Sequence, residues 1–192
     1  MVRWRAIAVI LLLAASTTAC GATNDGETPS QTSTSVSTHD PTSDPTPACS
    51  AEGMSVSASD EGLPEPVAMT RDRIIELAVG CDLEGLAGLG GAGFTYSFGG
   101  KGDPATFWRE AEEAGEPVLA TLVAVLEQPA AMLDADWVWP RAASGEGAPA
   151  DVQALADAVG HDPEQWFLDG DYVGPRVGIG SDGSWSFYVT GD

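Results

Sequence analysis

Apolar and polar residues alternate along this chain in short blocks, each closed by glycine or proline. Ile74, Leu77, Ala78 and Cys81 recur at i, i+3, i+4 and i+7 behind Thr70, which predicts a helix capped by that threonine. Asp82 then caps a second short helix carrying Leu83, Leu86 and Leu89, and Gly90, Gly91 and Gly93 end it. Phe94 to Phe98 alternates strictly and predicts a strand with three aromatics on one face. Asp103-Pro104 supplies an N-cap and a first-turn proline for a helix expected to bury Phe107, Ala111 and Ala114 and to turn Glu110, Glu112 and Glu113 to water. From Pro117 to Leu126 the pattern is apolar nearly all round, which predicts a buried central helix. Trp137 to Trp139 reads as a short strand and 142–148 as a loop; Val152, Leu155, Ala156 and Val159 mark a further helix ended by Gly160. Asp162-Pro163 caps a turn that carries Trp166 and Phe167, and Met54 to Ala58 alternates as a short edge strand.

The chain closes with an expected hairpin, Tyr172 to Gly180 and Ser184 to Thr190. A two-residue turn at Asp182-Gly183 would set Gly178 and Gly180 opposite Phe187 and Trp185. A three-residue loop with Gly183 left-handed in a bulge sets Ile179 opposite Trp185 and Val177 opposite Phe187. The second register is expected, because a one-residue slip moves a strand's whole apolar set to the other face. Together these elements predict an α+β domain: a small antiparallel sheet of about four strands, with a C-terminal hairpin, packed with several helices.

The start of the chain has a different pattern. Arg3 and Arg5 precede an apolar run from Ala6 to Ala15, too short for the roughly 20 residues that span a bilayer. A basic start, a short apolar core and small residues after it read as a secretory signal peptide. The segment Thr17-Thr18-Ala19-Cys20 resembles the lipobox of bacterial lipoproteins, with threonine where leucine is usual. The resemblance implies cleavage before Cys20, a diacylglyceryl group on its thiol, and a protein held on the outer face of the cell membrane by its lipid. Gly21 to Ala48 is almost all Ser, Thr, Pro, Asp and Gly and cannot bury enough apolar surface to fold, so it predicts a disordered tether. His39 lies in it and is expected to be inert. The organisation expected is therefore signal peptide 1–19, tether 20–48 and one globular domain 49–192.

Charge and cysteines sharpen this picture. The formal charge is −21; all 29 acidic residues follow Cys20, and Arg3 and Arg5 leave with the signal peptide, which takes the mature chain to −23. Such a surface repels nucleic acid and anionic headgroups. With Cys20 lipidated, Cys49 and Cys81 remain in an oxidising compartment, and an even pair there suggests a disulfide. Closing a loop of about 33 residues would contribute roughly 3–4 kcal/mol. The alternative reading makes Cys81 a small buried apolar residue on its helical stripe.

Chemical motifs weigh against the better-known sites. Gly88-Leu-Gly-Gly-Ala-Gly93 matches G-x-G-x-x-G, but a dinucleotide site needs it between a strand and a helix, and here it follows a helix as a flexible turn before a strand. Asp169-Gly-Asp171 starts like a calcium loop, yet Val173 stands at its fifth position and no glutamate at its twelfth. Asp134 and Asp136 would share a strand face as paired carboxylates, or else form a solvated turn. His161 beside Asp162 is the domain's one histidine and reads as a loop residue. Five tryptophans remain after Trp4; Trp137 and Trp139 share a strand face and are the candidate ligand contacts. No metal site and no cofactor is expected.

Three segments, Phe94-Thr-Tyr-Ser-Phe-Gly-Gly100, Trp137-Val-Trp-Pro140 and Arg176 to Asp192, resemble an uncharacterised family of bacterial exported proteins over roughly Arg71 to Asp192. That resemblance implies export; it carries no known activity or site residues that could be transferred. Gly80-Cys-Asp-Leu-Glu-Gly-Leu86 also looks like the opening of the cone-shaped nuclear-transport-factor-like fold, whose pockets bind small ligands. The function expected is a non-catalytic binding module on the membrane, with an unknown small molecule or envelope protein as partner. The alternatives are a small-pocket enzyme using Asp134, Asp136 or His161 as acid and base, and a structural component of the envelope.

Overall fold

A computed structural model describes residues 48–57, 62–97, 102–145 and 147–190; Cys20, the expected signal peptide, nearly all of the expected tether and Phe98 lie outside them. All described elements belong to one unit, Ser43–Asp192, and it is an α+β domain. Among the described residues, five α-helices accompany a five-stranded sheet and a separate two-stranded one.

Helix α1 spans Glu65–Val79 and starts six residues earlier than Thr70 as a cap implied. Pro64 and Pro66 read as breakers, but in a first turn proline forgoes only an amide that has no helical partner. Thr70 instead donates its hydroxyl to the Gly183 carbonyl at 2.7 Å, which ties α1 to the last hairpin. Val67, Ile74, Leu77 and Ala78 are buried, as is Arg71. Cys81 falls outside the helix with φ +55. Its amide donates to the Ala78 carbonyl at 3.1 Å, and the Asp82 amide donates to that of Leu77 at 2.9 Å. This is the two-bond closure in which glycine normally takes the left-handed position, here filled by Cys81.

Helix α2, Leu83–Leu89, is capped by Asp82, which accepts from the Gly85 amide at 2.8 Å. Strand β1, Gly90–Thr95, follows directly. The glycines expected to form a turn are therefore strand. Their lack of side chains hides any alternation, and pairing with a distant strand decides their conformation.

Helix α3, Pro104–Glu113, is capped as expected: Asp103 accepts from the Thr106 amide and hydroxyl, and these bonds hold its carboxyl below the ordinary aspartate range. The buried face differs from the expected one. Ala105 and Trp108 are inside, Phe107 is 38% exposed, Ala114 is exposed and Ala111 half-buried. The larger indole takes the core position because Phe94, Trp185 and Tyr188 surround it, at ring-centroid distances of 6.2, 6.0 and 6.3 Å.

That rotation also brings Glu112 inward. Helix α4, Val118–Leu126, is the central core helix, with every residue but Ala120 buried. Its N-cap residue, Pro117, has no side-chain cap to offer. Two residues from elsewhere take the orphan amides: Leu119 donates to Glu112 Oε1 at 2.7 Å and Ala120 to Ser50 Oγ at 3.0 Å. The Ser50 hydroxyl and amide donate in turn to Glu112, at 2.7 and 2.8 Å. We expect Glu112→Ala to lower stability by about 1–3 kcal/mol and Ser50→Ala by about 1 kcal/mol in urea denaturation. The double variant should lose less than the sum, since the two caps depend on each other.

Strands β2, Ala131–Leu133, and β3, Asp136–Trp139, form a hairpin turned by Asp134 at φ +55 and Ala135; β2 was not expected. A 3-10 turn at Arg141–Ser144 interrupts the predicted loop. Helix α5, Gln153–Val159, buries Leu155 and Ala156 and ends at left-handed Gly160, as its pattern indicated. Asp162 caps a 3-10 turn, Pro163–Trp166. Strands β4, Phe167–Leu168, and β5, Asp171–Tyr172, then pair across Asp169 and Gly170, both with positive φ. The calcium-like Asp169-Gly-Asp171 is thus the tip of a tight hairpin. Tyr172 belongs to that hairpin rather than to the last one.

Strands β6, Arg176–Gly180, and β7, Trp185–Val189, complete the main sheet, in the order β1-β7-β6-β3-β2. The expected all-antiparallel sheet of about four strands is corrected to a mixed five-stranded one, with β1 parallel to β7. The final loop has the three-residue form, with Gly183 left-handed and Ile179 opposite Trp185. Val177, however, faces Tyr188 rather than Phe187, because the register shifts between Gly178 and Ile179. The Phe187 ring lies against Gly178, where a Cβ would collide with it, while Val177, Ile179, Trp185 and Tyr188 all stay buried. The 48–57 segment forms no strand, although Met54 and Val56 do face inward as their alternation indicated.

Candidate functional site

A depression of about 720 Å³ lies where the 48–57 segment meets helices α2, α3 and α4. Its apolar lining includes the Cys49–Cys81 disulfide, Leu83 and Pro117. The disulfide expected from the even cysteine count is present, with 5.7 Å between the Cα atoms. Cys49 is buried and Cys81 half-buried, so the bridge forms part of the groove wall.

Five carboxylates, those of Asp82, Glu84, Glu112, Glu113 and Glu116, line the same groove against one guanidinium, Arg109. Three of the five already have partners. Asp82 caps α2, Glu112 caps α4, and Glu84 Oε1 accepts from Arg109 Nη2 at 2.8 Å. The side-chain carboxylates of Glu113 and Glu116 make no hydrogen bond or ion pair with a described residue. At the start of α4, Tyr188 is fully buried and donates its hydroxyl to the Val118 carbonyl at 2.6 Å. Burial pushes its phenol well above the usual range and the Glu112 charge pushes the same way, so it remains a neutral donor. The sequence did not single out this groove. Its one signal was the acidic run around Glu110 to Glu116, which looked like a solvated helix face.

Trp137 and Trp139 do share a sheet face and line one smaller pocket of about 260 Å³, with Leu63, Gln128 and Pro129. Trp139 is 1% exposed and belongs to the core; Trp137 is half-buried and offers the larger contact surface. Glu127, beside them, accepts from the Ser57 amide at 3.1 Å.

Asp134 and Asp136 are not brought together as a pair. Asp134 sits in the β2–β3 turn, and Asp136 reaches over Gly180 to accept from the Ser186 hydroxyl at 2.9 Å. His161 is exposed, its ring 5.8 Å from that of Trp166, at a depression of about 320 Å³ that shares Glu116 and Pro117 with the groove. The G-x-G-x-x-G glycines run from α2 into β1, so no helix N-terminus follows them to receive a phosphate. Among the described residues no group of three or more His, Cys, Asp or Glu side chains is placed to hold a metal ion, and no helix is long and apolar enough to cross a membrane. Comparison with protein families, with curated proteins and with solved structures finds no match to this chain.

Proposed function

We propose that the chain is an extracytoplasmic lipoprotein: a binding module held on the outer face of the membrane through Cys20, with the groove beside the disulfide as its ligand seat. The observation that carries the reading is the pairing of Cys49 with Cys81. A disulfide at the first cysteine of the domain fits an oxidising compartment. It also accounts for two of the three cysteines and leaves Cys20, behind its lipobox-like segment, for the lipid. The groove supports the binding half of the proposal: its volume lies within the range of ligand clefts, about 300–1,000 Å³, and it joins apolar walls to a few charged groups.

The lipid anchor has a direct test. Cys20→Ala should move the protein from the membrane fraction to the medium or leave it as an uncleaved precursor. Intact mass of the wild-type chain should show an acylated N-terminal cysteine. An unmodified mature N-terminus at any other residue would overturn the anchor.

A further inference from the structure

We propose that the groove docks a basic, amphipathic peptide segment of an envelope protein. The proposal rests on the reading of the groove as the ligand seat and names the class of ligand. Two properties of the lining select this occupant. Leu83, Pro117 and the disulfide offer apolar surface, which rewards an aliphatic side chain. The carboxylates outnumber the guanidinium five to one, and that guanidinium is already engaged by Glu84. The side-chain carboxylates of Glu113 and Glu116, which no described residue engages, are left to meet incoming cations. An extended peptide that alternates leucine-like and lysine-like side chains presents both chemistries at once. A small polycation would use the charges and leave the apolar wall wet. A polyanion would be repelled. The large negative charge of the whole chain steers a basic partner toward the surface, but a general field falls away beyond about 8–10 Å in physiological salt. Selection must therefore come from the carboxylates at the groove itself.

The test is fluorescence anisotropy of the full chain with a labelled hexapeptide of alternating leucine and lysine, at physiological ionic strength. Glu113→Lys/Glu116→Lys should weaken binding tenfold or more. Glu164→Lys/Asp171→Lys changes the net charge by the same amount at exposed positions outside the groove and should weaken it less than twofold. Equal losses in the two variants would reduce the effect to whole-surface attraction and overturn the proposal. A leucine–glutamine hexapeptide should bind at least tenfold more weakly. Ala48→Trp, which fills the groove from an exposed position, should abolish binding of the basic peptide. If the neutral peptide binds as tightly and Ala48→Trp abolishes both, the groove remains the seat and the basic preference falls. If Ala48→Trp changes nothing, the seat falls too. Spermidine that displaces the basic peptide with an affinity equal to the peptide's own would replace the peptide by a small polycation and also overturn the proposal.

Discussion

Trp108→Ala should lower the stability of the domain by about 3–5 kcal/mol, a large part of the 5–15 kcal/mol typical of a folded domain. The indole is 1% exposed, and its ring meets those of Phe94, Tyr96, Trp185 and Tyr188. It therefore joins α3 to β1 and β7, and alanine would leave a cavity that all three elements line. The informative control is its neighbour. Phe107 is 38% exposed and touches the Tyr96 ring at 5.4 Å, so Phe107→Ala should cost about 1 kcal/mol or less. Urea denaturation followed by near-ultraviolet circular dichroism reads both. Equal losses at the two positions would mean that α3 does not present this face to the core.

The second large effect concerns the disulfide. Cys49→Ser/Cys81→Ser should lower stability by about 2–4 kcal/mol relative to the oxidised chain, and the reduced wild type should behave similarly. The bridge holds the segment that carries Ser50, and Ser50 caps α4, so its loss should also expose the amides of Leu119 and Ala120 to faster hydrogen exchange. Cys81 adds a separate signature. At φ +55 a non-glycine residue is disfavoured by about 1–2 kcal/mol, whereas glycine is not, though glycine gives back part of that gain through its freer unfolded chain. Cys49→Ser/Cys81→Gly should therefore be more stable than Cys49→Ser/Cys81→Ser by about 0.5–1 kcal/mol. Identical midpoints for the two variants would mean that the left-handed closure of α1 costs nothing at this position.

The legible features are those whose physics is completed within a few residues. Asp82, Asp103 and Asp162 each accept from an amide two or three residues ahead, so a cap could be read from the aspartate and its immediate neighbours. The apolar run of α4 made it the core helix whatever packed around it. Asp182-Gly183 and the inward residues beside it gave the final loop its three-residue form. The same loop also shows where such reasoning stopped. Asp182 accepts from the Ser184 hydroxyl and amide, bonds that hold its carboxyl below the ordinary range and that its local sequence allowed. The shift two residues further on depends on where the Phe187 ring settles against Gly178 of the neighbouring strand.

The candidate site lay on the other side of that limit. Glu112 and Ser50 are 62 residues apart, and Glu112 was expected to face water; only the packing of α3 beside the 48–57 segment made the two the cap of α4 and placed the groove beside them. By itself, the sequence determined the α+β class, the positions of most helices, the aspartate caps, the even pair of cysteines and the lipobox-like start, because each depends on neighbouring residues or on simple counting. The tertiary structure alone decided that the glycine run would be a parallel edge strand, that Trp108 rather than Phe107 would enter the core, and that Glu113 and Glu116 would line a groove. Each of these depends on partners far away in the chain, whose approach no local pattern records.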